Sequence, residues 1–281
     1  MRRIVYNISE IEPYINWLYF YHAWGLSGKK EEVKLKMRQE AEKMLSSWEG
    51  KYHTHALLRI MDAYSEGDDI IVETENQDLL NGCANTEMRQ VRLPMLRQQH
   101  PSVPGAPNFC LADFIRPRSL KVSGVEKKTE KMQLQDIASR LGVFCCTVDA
   151  SILDAYRNHE YLGMMAQLLC DRLAEATAEL LHEQTRKTYW GYAPDEHLTP
   201  QQLHCEEYQG IRPAIGYPSL PELECHHRST AGYEASRYTT DRNGYDDTSF
   251  QCVGLDVCTS HGSILRIGED RAGPVMRLCA S

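Results

Sequence analysis

Residues 171–203 read DRLAEATAELLHEQTRKTYWGYAPDEHLTPQQL, and residues 208–222 continue YQGIRPAIGYPSLPE. The first string opens inside an apolar repeat. Leu162, Met165, Leu169, Leu173, Ala176 and Leu180 recur at three- and four-residue steps, which predicts a helix from about Arg157 to Lys187. Arg186 and Lys187 fall in its last turns, where cations suit the negative pole of the helix dipole. Thr199 is the expected cap of a second helix, with Pro200 at its first position and Gln202 three residues on, and this helix should run to about Tyr208. The segment after it is neither helix interior nor central strand, because Pro213, Pro218 and Pro221 lack an N–H and fix φ. Stiff posts at Pro213 and Pro218 present the intervening backbone at little ordering cost. Ala214 and Gly216 let a flat ligand approach the main chain. Arg212 offers a forked cation for a carboxylate, and Tyr217 offers an aromatic face. Read from its residues alone, the segment is either a rigid surface loop or a ligand cradle.

Upstream, residues 31–48 predict a helix whose apolar face carries Val33, Met37, Ala41, Met44 and Leu45. Residues 56–75, ALLRIMDAYSEGDDIIVETE, predict a hairpin turning at SEGDD. Pro94, Pro101, Pro104 and Pro107 mark 92–107 as loop. FCLADFIRP (109–117) reads as a short apolar strand, and LGVFCCTVDA (141–150) as a central one. Near the N-terminus, Arg2 and Arg3 precede YINWLYFYHAWGL (14–26), which mimics a signal peptide. Glu10 and Glu12 interrupt the pattern, no small-residue cleavage site follows, and the run is too short to cross a bilayer. It is expected to form a buried aromatic helix at the protein's edge.

The chain has 281 residues, 42% hydrophobic and 25% charged, which suits a soluble globular protein of one large or two modest domains. A net charge of −8, with no dense basic block beyond the mixed VEKKTEK (125–131), argues against nucleic-acid binding. Ten cysteines without a CxxC pair fit a reduced cytoplasmic protein, with Cys145 and Cys146 as strand residues. HEQTR (182–186) resembles a zinc-protease string, but Arg186 replaces the second histidine. His182 is therefore expected at a surface helix end. Glu183 would lie near the irregular segment if the two helices fold back. Cys225, His226, His227 and Cys258 are metal-ligand types at a spacing that matches no metal site. No GxGxxG, P-loop or GxSxG string occurs.

These strings, with NFCLADFIRP (108–117) and YINWLYFYHAWGL in the same order, resemble the reactivation domain of cobalamin-dependent methionine synthase over most of residues 10–222. The resemblance implies an α+β, C-shaped single domain, with a mostly antiparallel twisted sheet and long helices, that binds S-adenosylmethionine. Such a domain docks over cob(II)alamin formed by accidental oxidation. An electron arrives from a flavodoxin-like donor, and the methyl of S-adenosylmethionine restores methylcobalamin. The implied ligand contacts are Arg212, Ala214, Gly216 and Tyr217, with Glu183 from the helix. Asn16 stands where the family has an aspartate; an amide keeps hydrogen bonding but loses the ion–ion attraction to a sulfonium or ammonium. This would be a methyltransferase module without an acid–base dyad. A sulfonium is already activated, and the cofactor carries the chemistry. The chain lacks a DxHxxG string, so cobalamin would be presented in trans by the synthase's cobalamin-binding module. Neither a membrane nor a nucleic acid is an expected partner.

After about Glu222 the resemblance stops. No lysine follows Lys187, while six arginines and four cysteines fall between residues 225 and 281. Back-translated with permissible codons and read one base later, TSFQCVGLDVCTS (248–260) can give PPSSVSGWMFAHP. HHRSTAGYEASRYTTDR (226–242) can give IIDLLLDMKQAGIQLTE, and HGSILR (261–266) can give TARYFA. These are family-like strings in family order. The expectation is an activation domain, truncated, over 1–222, and an aberrant, frameshifted tail over 223–281 that disrupts the C-terminal part and removes a family tyrosine contact. Two other readings follow from this tail: a non-catalytic S-adenosylmethionine-binding remnant, and a cysteine/histidine metal protein.

Overall fold

A computed structural model describes residues 1–75, 88–101, 104–118, 139–213 and 220, together with the backbone of three strands at 251–257, 264–270 and 273–279. The chain forms two compact units. One is built from Met1–Leu58, Phe144–Tyr208 and Ser236–Val253, and the other from Arg59–Val143, Gln209–Ala235 and Gly254–Ser281.

In the first unit, β1 (Arg2–Asn7) pairs antiparallel with the start of β2 (His53–Glu66), in a register running from Arg2↔Leu58 to Asn7↔His53. Four helices precede the last long one: α1 (Ile8–Ile11), α2 (Trp17–Ala23), α3 (Glu31–Trp48) and α4 (Ser151–Tyr156). The fifth, α5 (Glu160–Gln184), buries Met165, Leu169, Leu173, Ala176 and Leu180 as the apolar repeat predicts, while Leu162 in its first turn is exposed. Its inward hydroxyl at Thr177 is satisfied by the Leu173 carbonyl at 2.6 Å. On α3 the buried face is Ala41, Met44, Leu45 and Trp48, but Val33 is exposed, because the first turns extend past the residues that cover the last ones.

The N-terminal aromatic run departs from expectation. It does form α2, yet Phe20 is the buried residue of that helix, while Leu18 is 59% and Tyr19 44% exposed. A seven-residue helix presents one face to the core. Its remaining rings are covered by cationic side chains instead, Arg38 over Trp17 at 4.7 Å and Arg172 over Tyr19 at 5.8 Å.

The second unit holds the rest of β2, β3 (Asp69–Glu75) and β4 (Met88–Pro94), antiparallel throughout. Gly67, at φ 61°, makes the expected hairpin turn between Glu66 and Asp69. Along β2 the buried residues alternate through Thr54, Ala56 and Leu58, then resume at Met61 and Ala63. The alternation thus skips one residue where the strand passes from one unit into the next. Strand β5 (Ser139–Val148) follows the reading of 141–150. Hydrogen-bonded order is β4-β3-β2-β5-β6, where β6 is Gln251–Val257, and β7 (Ile264–Asp270) pairs antiparallel with β8 (Gly273–Cys279). The architecture is α+β with an antiparallel sheet.

FCLADFIRP is not a strand. Leu111–Phe114 is a 3-10 turn, closed by the Asp113 carboxylate accepting the Cys110 N–H at 2.8 Å. Arg97 grips Asp113 and Asp68 together, at 2.8 and 2.6 Å. Cys110, Leu111 and Ala112 are buried in a cluster with Ile70, Leu93 and Leu141, so the apolar run fills a core without extending. Among the described residues, no helix is long and apolar enough to cross a membrane.

One acid sits uneasily on α5. Burial, reinforced by the Glu175 charge against partial relief from Arg172, pushes the Asp171 carboxyl from its ordinary 3.8 up to about 6. The folded chain holds that proton more tightly than the unfolded chain. Stability therefore falls as pH rises from near 4 through about 6, and the loss persists above. Asp171→Asn should remove that slope and, after solvent screening at a half-buried group, raise stability at pH 7 by about 1 kcal/mol. Denaturant unfolding at pH 4, 5, 6 and 7 checks it.

Candidate functional site

The end of α5 does not fray into solvent. Its last residues widen into a π turn, Thr185–Tyr189, a feature that often marks functional sites. The loose carbonyls are then recovered. Thr185 O accepts from Trp190 N at 2.9 Å, and Arg186 O accepts from Ala193 N at 2.9 Å.

Arg186 is turned inward and fully buried. Its Nε donates to both oxygens of Glu196, at 3.1 and 2.9 Å, and its Nη2 donates to Oε1 at 2.5 Å. The guanidinium lies 4.5 Å from the centre of the Tyr208 ring. His182 meets the same ring edge-on at 4.6 Å. Two expectations are corrected here. His182 is buried rather than at a surface helix end, and Arg186 serves an ion pair rather than the helix dipole. His182 packs on Tyr208 and Arg186 pairs with Glu196, partners that the helical spacing could not reveal.

Glu183 is half-buried, with both carboxylate oxygens engaged. Oε2 accepts the Tyr14 hydroxyl at 2.7 Å, and Oε1 accepts Lys187 Nζ at 3.2 Å. Burial first, and the Glu183 hydrogen bond second, raise the Tyr14 phenol well above the usual tyrosine value, so it stays a donor. The Tyr14 carbonyl in turn accepts His204 Nε2 at 3.0 Å, from the C-terminal end of α6 (Pro200–His204). That helix begins at Thr199 with the expected capping box, but it ends at His204 rather than Tyr208. Beside Glu183, Gln184 Oε1 accepts the Tyr6 and Tyr189 hydroxyls at 2.7 and 3.0 Å.

Asn16 caps α2, its Oδ1 accepting the Leu18 N–H at 3.2 Å. It lies two residues from Tyr14, so Asn16 and Glu183 are joined within the first unit by one tyrosine. Arg212 belongs to the second unit and is half-buried. Ile211 and Leu220, on either side of the 212–219 stretch, are 2% and 1% exposed and share the core of Leu93, Leu111 and Leu141. Ala214, Gly216 and Tyr217 lie outside the described residues, as do Cys225, His226, His227 and Cys258. Among the described residues, no cluster of histidine, cysteine and acids could hold a metal ion. Cys146 is a buried strand thiol as expected and Cys145 is half-buried. Sequence reading missed Tyr14 and Glu196, although Tyr14 opens the quoted aromatic string.

The end of α5 thus carries pinned acid, amide and guanidinium groups within a fold of the α+β class. The family described as vitamin B12 dependent methionine synthase, activation domain, matches residues 7–232, and the chain belongs to this family. Among solved structures it is similar to one described as the crystal structure of the MetH reactivation domain bound to AdoHcy. The two share 28% identity, over 92% of this chain and 78% of that one, with a TM-score of 0.69.

Removing one partner from a buried ion pair leaves an uncompensated charge. Glu196→Gln is therefore expected to cost about 3 kcal/mol. The double replacement Arg186→Met with Glu196→Leu should cost less than that single change. Urea midpoints of the three proteins decide it.

Proposed function

We propose that this chain binds S-adenosylmethionine and supports the reductive remethylation of cob(II)alamin to methylcobalamin, with the cobalamin presented by the synthase's cobalamin-binding module and the electron drawn from a flavodoxin-like donor. The observation carrying this is the family match across 7–232, joined to a similar reactivation domain solved with AdoHcy, the species left when S-adenosylmethionine gives up its methyl. It would act as a methyltransferase module in the cytoplasm.

The residues present suit the ligand. An ionised carboxylate has about four acceptor sites, so Glu183 retains capacity for ligand donors beyond Tyr14 and Lys187. Arg212 follows a buried Ile211, which fixes the base of a side chain meant for the ligand's carboxylate. Ala214 and Gly216 would admit the ligand to the backbone, with Tyr217 against its face and Asn16 toward its cationic end. S-adenosylmethionine supplies an activated methyl on sulfur. The chain's own residues bind it, orient it and exclude water.

Titration calorimetry with S-adenosylmethionine tests the binding. Arg212→Ala should weaken it at least about tenfold, the loss of a charge-assisted hydrogen bond. Asn16→Asp should tighten it; an unchanged affinity removes Asn16 from the site. A remethylation assay with added cobalamin module and reductant then separates a working module from a remnant that binds without turnover.

We further propose that the domain proper is 1–222 and that residues 223–281 are translated out of frame. The compositional shift after Lys187 and the family-like strings recovered one base later support this. Sequencing the coding DNA decides it: codons that do not give those strings in the shifted frame sink the idea. A frameshifted tail would lower the stability of the folded chain.

A further inference from the structure

Tyr14 touches three elements that are far apart in sequence. Its ring stands at the end of the turn Glu12–Tyr14, its hydroxyl donates to Glu183 across 169 residues, and its carbonyl accepts from His204 across 190. Ile15, next in the chain, is 3% exposed, and Asn16, one further, caps α2. The tyrosine is thereby fixed at backbone and side chain, and it transmits that fixity to a glutamate at the end of a helix.

Glu183 needs such help. A glutamate has three side-chain torsions, and a ligand that must freeze them loses part of its binding energy to rotamer entropy. Here Tyr14 holds one oxygen at 2.7 Å and Lys187 the other at 3.2 Å before any ligand arrives. We infer that Tyr14 is a positioning residue for the ligand site: it pre-orders the Glu183 carboxylate and locks to it the segment that carries Asn16. The inference rests on the reading of Glu183 as a ligand contact. Tyr14 itself is not assigned a contact with the ligand. Burial and the Glu183 hydrogen bond raise its ionisation above the ordinary tyrosine value, so the hydroxyl keeps its proton at neutral pH.

The test is a double-mutant cycle on the full chain, read by calorimetric titration with S-adenosylmethionine. Tyr14→Phe keeps the ring and deletes the tether. In the otherwise unaltered chain it should weaken binding about five- to tenfold. In a Glu183→Ala background it should weaken binding less than about twofold, because the acceptor through which it acts is gone. A merely structural tyrosine would cost the same in both backgrounds, and that result overturns the inference, as does an unchanged affinity for Tyr14→Phe alone. If the unaltered chain binds no S-adenosylmethionine, the functional reading fails first and this inference falls with it. Thermal unfolding of each variant accompanies the titrations. Should Tyr14→Phe fail to fold, the same cycle with Tyr14→Leu carries the test, since Tyr14 is half-buried and leucine likewise deletes the hydroxyl. A loss of affinity confined to the Glu183 background supports the inference; an equal loss in both overturns it.

Discussion

The buried pairing of Arg186 with Glu196 is the constraint around which the first unit's end is built. A guanidinium and a carboxylate taken out of water lose hydration worth several kcal/mol each. The Coulomb attraction compensates only when the geometry is forked and short, as it is here. Meeting that demand requires Arg186 to point inward, and its side chain is fully buried. It lies within the π turn Thr185–Tyr189. Tyr208 then closes over the guanidinium and His182 closes over Tyr208. Three residues that look unrelated in sequence are thus one packed stack, and the chain leaves it directly into GIRPAIGYPSLPE.

That segment is held by what flanks it. Gly210 adopts φ 95°, a conformation that a side chain would resist. Ile211 and Leu220 are then sunk in the core of the second unit. Proline at 213 and 218 fixes φ at those positions. At Glu183, a phenol and an ammonium hold the two carboxylate oxygens.

How much of this was legible depended on whether the signal was local. Helix α5, the hairpin at Gly67 and the cap at Thr199 were readable, because periodicity and capping chemistry act over three or four residues. Leu111–Phe114 was misread because a short, wholly buried apolar run has the same composition in a strand as in a turn. The exposure of Leu18 and Tyr19 escaped notice because hydrophobicity does not say which face a short helix turns inward. The spacing puts His182 at a surface helix end and gives Arg186 to the helix dipole, because their partners Tyr208 and Glu196 lie beyond any helical spacing. The candidate ligand residues came from the family resemblance; the physics of the residues alone left the proline segment open between loop and cradle.

Asn16 separates fold from ligand more cleanly than any other position in the site. Its structural duty is to cap α2 through a side-chain oxygen. Asparagine and aspartate perform that duty about equally well. The fold therefore has no stake in which of the two stands there, and the aspartate that the resemblance puts at this position needs another explanation. A cationic ligand supplies one, since the carboxylate adds an ion–ion attraction that the amide lacks. On the proposed reading, the exchange at residue 16 acts on ligand charge, while either residue keeps the cap of α2.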